Sequence, residues 1–553
     1  MPKSASDTAA TATTADVMAR YFRAAGITHI FGLPGGQNIE FMEAARREGL
    51  EFILARREGT AALMADAAGQ LTGVPGVCMS TLGPGATNLV NGVANAYLDR
   101  SPMIAVSGQL ATRLESTFSH QNVDQLAIFT PISKWATKIG PDDAASVMRR
   151  ALRLAVAERP GPVHLTLNAN YAKAAASDID ISLPPMAPAG EWVQMTGIKG
   201  GIDGWAGDPV KRLKKAKRPV VLTGMSAMRS GAGTSLTAFA EKLGCPVVTS
   251  PKGKGTMPED HPYFAGTVDM ACNKLIWEFL GSADLILAVG FDGVELIKPW
   301  QLDVPVIHID TVANTDQVYP AEIELVGPIA AILDALADSC EAQAKWAEAD
   351  IRAHRDAVKE LYYSGRQKGK LNPTDVVDVA RAAFPPDTLI TTDVGSHKLL
   401  IGQGWETYEA GGVMMSNGLS SMGFALPAAI TACLLDRQRK VVCFTGDGGL
   451  AMVSGELGLA SELGLGLVVI VFCDNSMNRI ELKQMQLGYP ATGTRFEASN
   501  LVGLAEAMGC DGERVETPKA LEDLLGRASN PRGLNRPLLI EAKIDPSQYE
   551  VQF

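Results

Sequence analysis

The eight cysteines of this chain, at 78, 245, 272, 340, 433, 443, 473 and 510, form no CxxC pair and no Cys/His cluster. That excludes a cysteine-based metal or dithiol motif, and the thiols inside apolar runs are expected to be buried and free in a reducing cytoplasm. No apolar run is long and unbroken enough to span a membrane. Positive charge is short: a net charge of −11 argues against nucleic-acid binding, which needs basic patches. No G-x-G-x-x-G follows the first strand of any domain, so a Rossmann dehydrogenase finds no support. The start, residues 1–14, has no apolar h-region and only Lys3 as a basic residue. It is neither a secretory signal nor a transit peptide, and a frayed terminus is expected.

The chain has length instead. Its 553 residues allow about three domains. Residues 15–25 carry a helical apolar period, capped by Thr13 or Thr14 and stopped at Gly26. A strand at 28–32 and the turn Leu33-Pro34-Gly35-Gly36 follow. Strand and helix signals then alternate to GPVHLTLN near residue 168, which argues a doubly wound α/β domain with a mostly parallel sheet over 1–175. Glu58 stands between the apolar Phe52-Ile53-Leu54 and an Ala-rich helix. A linker is expected over 173–200, with two adjacent prolines and no periodicity. A second α/β domain, 199–340, shows the strands PVVLTG, CPVVTS, DLILAVG and PVIHID, with Asp310 a cap or a ligand. Residues 340–370 read as a charged connector helix with a solvated face. The third domain, 371–553, opens on a helix at Asn372-Pro373-Thr374, then the strand TLITTD and Asp393-Val394-Gly395-Ser396-His397.

The chemistry concentrates between Lys440 and Gln486. The buried strand 441–445 runs into Gly446-Asp447-Gly448, a helix is expected over 449–462, and a second buried strand, 467–473, ends at Asp474-Asn475. Carboxyl ends of parallel strands are where ligands sit. Asp447, Asn475 and a carbonyl near Met477 offer the hard oxygens that Mg²⁺ prefers. The glycines at 446, 448 and 449 let N–H groups approach a diphosphate. Taken alone, the tripeptide is equally an ordinary Asp-Gly turn.

Gly446-Asp447-Gly448 followed by Asn475 resembles the signature of thiamine diphosphate enzymes. FGLPGG, Arg57-Glu58, TLGPGATN and AYLDRSP resemble the pyrimidine-binding domain of the acetolactate synthase and pyruvate oxidase branch of that family. The resemblance implies three doubly wound parallel-sheet domains: pyrimidine-binding, central and diphosphate-binding. It implies Mg²⁺ on Asp447, Asn475 and the Met477 carbonyl, and a diphosphate contacted by Gly395, Ser396 and His397. It implies Met422, within SNGLSSMGFALPAAIT, as the wedge that bends the cofactor, with Ile480 beside it. Glu58 would bind N1′ of the aminopyrimidine, where a carboxyl in an apolar site has a raised pKa and can share a proton near neutrality. The family binds FAD in the central domain through an Arg that VGFDGVELIKPW lacks, which counts against FAD here.

The resemblance implies a 2-oxo acid substrate, decarboxylation, and transfer of the acyl anion to a carbonyl acceptor. A homodimer or homotetramer with active sites between chains, in the cytoplasm, goes with it. Two departures leave the acceptor open. His120-Gln121 stands where synthases have Phe-Gln and pyruvate decarboxylases two histidines; His120 is a proton donor, a substrate hydrogen-bond partner or a plain loop histidine. Glu481 stands where synthases have an apolar residue, as in simple decarboxylases that protonate and release an aldehyde; it is that donor or an outer-face residue. A silent cofactor-binding subunit is the reading from another class.

Overall fold

The computed structural model describes residues 12–183, 209–529 and 534–552. Residues 1–11 of the expected frayed start and 184–200 of the expected linker lie outside the described residues. The chain divides into two compact units, residues 1–186 and 187–553.

The first unit holds one sheet: β1 (His29–Gly32), β2 (Glu51–Leu54), β3 (Gly76–Ser80), β4 (Met103–Gln109), β5 (Trp135–Ile139) and β6 (Pro162–Asn168). Its order is β2-β1-β3-β4-β6-β5, all parallel. β3, β4 and β6 are buried along their whole length, as strands covered by helices on both faces must be. The first helix, Thr14–Ala24, begins on a reciprocal cap: Thr13 Oγ1 accepts from Asp16 N at 3.2 Å, and Asp16 Oδ2 from Thr13 N at 2.9 Å. Helix Glu58–Thr72 is small-residued for a packing reason. A Cβ on Gly92 of helix Pro84–Leu98 would collide with Ala62, so the two helices touch almost backbone to backbone.

The second unit holds two sheets. The central one has β7 (Pro219–Thr223), β8 (Val247–Thr249), β9 (Phe264–Thr267), β10 (Leu285–Val289), β11 (Val306–Asp310) and β12 (Ile323–Val326), in the order β12-β11-β10-β7-β8-β9. The third has β13 (Leu389–Thr392), β14 (Val413–Met415), β15 (Val441–Gly446), β16 (Val468–Cys473), β17 (Asp511–Val515) and β18 (Leu538–Lys543), in the order β14-β13-β15-β16-β18-β17. Both are parallel throughout. The winding changes direction at β1/β3, β7/β10 and β13/β15, so the doubly wound α/β class holds. The connector helix, Glu348–Tyr363, carries charge outward, but Ile351, Val358 and Tyr362 on it are buried. They belong to one apolar cluster reaching from Leu222 and Ile286 of the central sheet to Phe444 and Ile470 of the third.

The helix expected over 449–462 is two helices, Asp447–Val453 and Glu456–Glu462, interrupted at Ser454-Gly455, where Gly455 adds no side chain and weak helix propensity. The first begins two residues early, so Asp447 opens it.

All eight cysteines are buried and free. Burial pushes the thiols of Cys78 and Cys433 up to about 12. A disulfide exchange reagent at about pH 8 should therefore titrate none of the eight in the native protein and all eight after unfolding. Fast reaction of any one before unfolding would contradict this packing.

Candidate functional site

β15 and β16 are neighbours, with Gly446 paired to Phe472, so their carboxyl ends open side by side. Asp447 joins them: its Oδ2 accepts from Asn475 N at 2.8 Å and Asp474 N at 3.2 Å, and its Oδ1 from Gly448 N at 2.8 Å. Asn475 takes a left-handed φ of 55°, which asparagine tolerates better than most residues. It meets Asp447 through its main chain, and both line a cavity of about 200 Å³ with Ser454, Cys473, Phe496 and Lys543.

Asp474 is a second carboxyl here that the motif did not single out. Burial first, and then the charge of Asp447, pushes it up to about 7. Burial also raises Asp447, against the three N–H groups that stabilise its charge. A carboxyl raised by a neighbouring carboxylate is an arrangement that a divalent cation relieves. The signal was present in the sequence as an acid directly beside the amide at the strand end.

A third carboxylate organises the opposite side. Asp393, fully buried after β13, accepts from Gly423 N at 2.8 Å and Thr445 Oγ1 at 3.1 Å, and pairs with His397 Nε2 at 3.1 Å. The His397 ring stacks on Phe472, with centroids 5.3 Å apart. The glycines are explained by contact. A Cβ on Gly449 would strike Asp393 Oδ2, one on Gly446 would lie 3.2 Å from His397 Cε1, and one on Gly395 would lie 2.6 Å from the same atom. A Cβ on Gly448 would lie 3.0 Å from Met477 Cε and 3.6 Å from Met422 Cε. Ser396 Oγ donates to Asn478 Oδ1 at 2.7 Å at the start of helix Ser396–Gly404. Gly395, Ser396, His397, Met422, Gly446, Asp447, Gly448, Gly449, Asn475 and Met477 thus come together. The bare glycine backbone beside paired carboxyls suits a diphosphate carried on a cation.

Glu481 is buried but not free. Ser476 Oγ donates to its Oε2 at 2.5 Å and Arg495 Nε to its Oε1 at 2.9 Å. The Arg495 hydrogen bond, chiefly, holds its carboxyl below the usual range. Ile480 beside it is exposed.

In the first unit, Glu58 opens helix Glu58–Thr72 and accepts from Asn88 Nδ2 at 3.0 Å. It is half-buried, where an enclosed apolar site was expected. The glycine turn after β3 touches two of the expected residues. A Cβ on Gly85 would lie 3.3 Å from Glu58 Oε1, and one on Gly83 would lie 2.6 Å from the Gln121 carbonyl. His120 and Gln121 are exposed, and Phe118 meets His120 edge-on at 6.1 Å.

Three family models match the chain: thiamine pyrophosphate enzyme N-terminal TPP binding domain over residues 12–128, central domain over 208–336, and C-terminal TPP binding domain over 393–542. Among curated relatives, the acetolactate synthase of Bacillus subtilis (strain 168) is 30% identical over 94% of this chain and 91% of its own length. The probable acetolactate synthase large subunit of Methanocaldococcus jannaschii is 32% identical over 97% and 92%, respectively. The catabolic acetolactate synthase of Raoultella terrigena is 32% identical over 96% and 95%.

Replacing Asp393 removes the acceptor of three buried groups. Asp393→Ala should lower stability by about 3 kcal/mol, read as a lower urea midpoint at unchanged slope. Asp393→Asn, which keeps an acceptor for Gly423, should lose less. Equal stability of Asp393→Ala and the parent would refute the hub.

Proposed function

This chain belongs to the thiamine pyrophosphate enzyme family, in its acetolactate synthase branch, and is a thiamine diphosphate-dependent carboligase; on that premise we propose that it joins two molecules of pyruvate into acetolactate with loss of one CO₂. One 2-oxo acid gives up its carboxylate as CO₂, and its two-carbon acyl group forms a new C–C bond to the keto carbon of the second. The relatives' names suggest pyruvate in both roles. One observation favours this over aldehyde release: Glu481, the side chain that would supply the proton, is ion-paired to Arg495 and held ionised. A carboxylate already neutralised by a guanidinium is a poor acid near neutrality.

Thiamine diphosphate, when bound, supplies the carbon nucleophile and the electron sink for decarboxylation. The chain's own groups hold and aim it. Asp447, with Asp474 or Asn475 and the carbonyl of Met477, would hold Mg²⁺. Gly395, Ser396, His397, Gly446, Gly448 and Gly449 would receive the diphosphate, and Met422 and Ile480 would support the rings. Positioning of this kind is a large share of the catalytic effect. Glu58 would hold a proton at N1′, with His120 and Gln121 facing the substrate. Free buried thiols support a cytoplasmic setting.

Glu58 is half-uncovered and bonded only to an amide in the first unit. That supports an assembly, a homodimer or a homotetramer, in which Glu58 of one chain completes the diphosphate half of another. Glu58→Gln should lower kcat by about 10²- to 10⁴-fold. Mixed Glu58→Gln and Asp447→Asn chains then test the assembly. Random pairing should restore about a quarter of the activity, because half the dimers are mixed and each has one intact site. No recovery on mixing would place both residues of a site in one chain. Product analysis with pyruvate tests the reaction itself: acetolactate and CO₂ are expected from the parent and from Glu481→Gln. Acetaldehyde as the main parental product would restore Glu481 as the proton donor.

A further inference from the structure

The central sheet has a crevice of its own. Winding reverses between β7 and β10, and open parallel sheets bind dinucleotide phosphates at such a place. FAD, the cofactor the family resemblance brings to this domain, can be tested against it. The chain leaves β7 through Gly224 into the five-residue helix Met225–Arg229. Over that turn lies the carboxyl of Glu295, fully buried, from the turn Gly293–Glu295 after β10. It accepts from Met225 N at 3.0 Å to each oxygen, from Asp292 N at 2.9 Å, and from the Ser250 hydroxyl. These are the donors a phosphate would use.

No space remains beside them. A Cβ on Gly224 would strike Glu295 Oε1 and would lie 2.7 Å from Phe291 Cα and 2.8 Å from the Gly290 carbonyl. Asp292, itself buried, is the neighbour, and burial already pushes the Glu295 carboxyl up to about 8. The segment VGFDGVELIKPW offers a diphosphate no Arg, and its buried carboxyl already holds the donors. FAD does not fit.

Glu295 also reaches the third sheet. Its main-chain carbonyl accepts from Asn417 Nδ2 at 2.8 Å, and Asn417 Oδ1 accepts from the buried Lys398 Nζ at 3.2 Å. Lys398 donates again to the Ser416 carbonyl at 2.8 Å, and Ser416 Oγ accepts from Ser421 N at 2.7 Å, one residue before Met422.

We propose that Glu295 is the built-in occupant of the central crevice: it takes the donors that a dinucleotide diphosphate would need, closes the domain to FAD, and through Asn417 positions residues 416–422 of the third sheet. The carboxyl does locally what a bound phosphate does in an open crevice, tying the first turn after β7 to the loop after β10. The chain thereby keeps the connection between the sheets without a ligand to saturate.

Two measurements on the full-length protein decide it. Equilibrium dialysis against FAD should find no saturable binding to the parent; one FAD per chain would overturn the proposal. Hydrogen exchange read by mass spectrometry should show Glu295→Gln exchanging about tenfold faster in peptides covering both 224–230 and 416–423, with β16 unchanged. Asn417→Leu should speed only 416–423. Unchanged exchange at 416–423 in Glu295→Gln would remove the positioning role. If Glu295→Gln does not fold, Asn417→Leu and the FAD measurement still decide, since unchanged exchange at 416–423 in Asn417→Leu would equally break the link.

Discussion

A buried carboxylate is costly unless several donors replace its water, and Asp393 has recruited them from three segments of chain. Thr445 comes from the end of β15, Gly423 from the loop carrying Met422, and His397 from the helix after β13. Satisfying that one group fixes where the strand ends and the loop stand relative to each other. It also dictates composition nearby. Residue 449 must lack a Cβ to pass Asp393, and Gly423 takes a φ of +78° that an L side chain would resist. His397, fastened at Nε2, in turn requires bare backbone at 395 and 446. The glycine-rich character of the site follows from accommodating a buried charge and an imidazole.

The same architecture is put to two uses in one chain. At the third sheet, Asp447 accepts from three N–H groups and still lines an open cavity with Asn475. At the central sheet, the equivalent place is filled by Glu295 with its donors already assigned. The difference lies in what surrounds each carboxyl. One carboxyl lines a cavity, and the other is enclosed so closely that a Cβ on Gly224 would strike it. Fold alone would have assigned a ligand to both crevices, and side-chain chemistry separates them.

Much of this was legible in the sequence because parallel strands covered on both faces must be continuously apolar. β15 and β16 stand out for that reason, and the residues at their ends could be named. Of the strands that escaped notice, β17 and β18 lie beyond the stretch where the motifs concentrate, and the others are short or marginal. β5 is only half-buried along most of its length, β14 has three residues, and β9 and β12 lie at the edges of the central sheet. In β5 and β12 the apolar signal is diluted by solvent contact, whereas β9 and β14, with four and three residues, are too short to show a period. The side-chain partnerships escaped for a different reason. Arg495 lies fourteen residues from Glu481 and Asn417 lies 122 from Glu295, separations that no local period encodes. Glu481 looked like a donor because its neighbour on the chain, Ile480, suggested it; its neighbour in space changes its chemistry. Asp474 was overlooked beside an amide of the more familiar type, although the pair of acids is the stronger attraction for a divalent ion.

Glu58 carries the last constraint. A carboxyl that shares a proton near neutral pH must be taken out of water, since it is burial that raises it. The first unit does not bury it: the helix start, the Asn88 amide and a turn of glycines leave it half-covered. Nor do His120 and Gln121, near the same turn, find cover there. The nearby glycines at 83 and 85 let the turn pass close to Gln121 and to the Glu58 carboxyl without covering either from solvent. Low-dielectric surroundings for Glu58 must therefore come from whatever packs against this end of the first sheet. In the assembly proposed above, a second copy would supply that cover, and each chain would lend its partner Glu58 while using the partner's diphosphate cradle. On that proposal, association would be a condition for the carboxyl's chemistry as well as for its geometry.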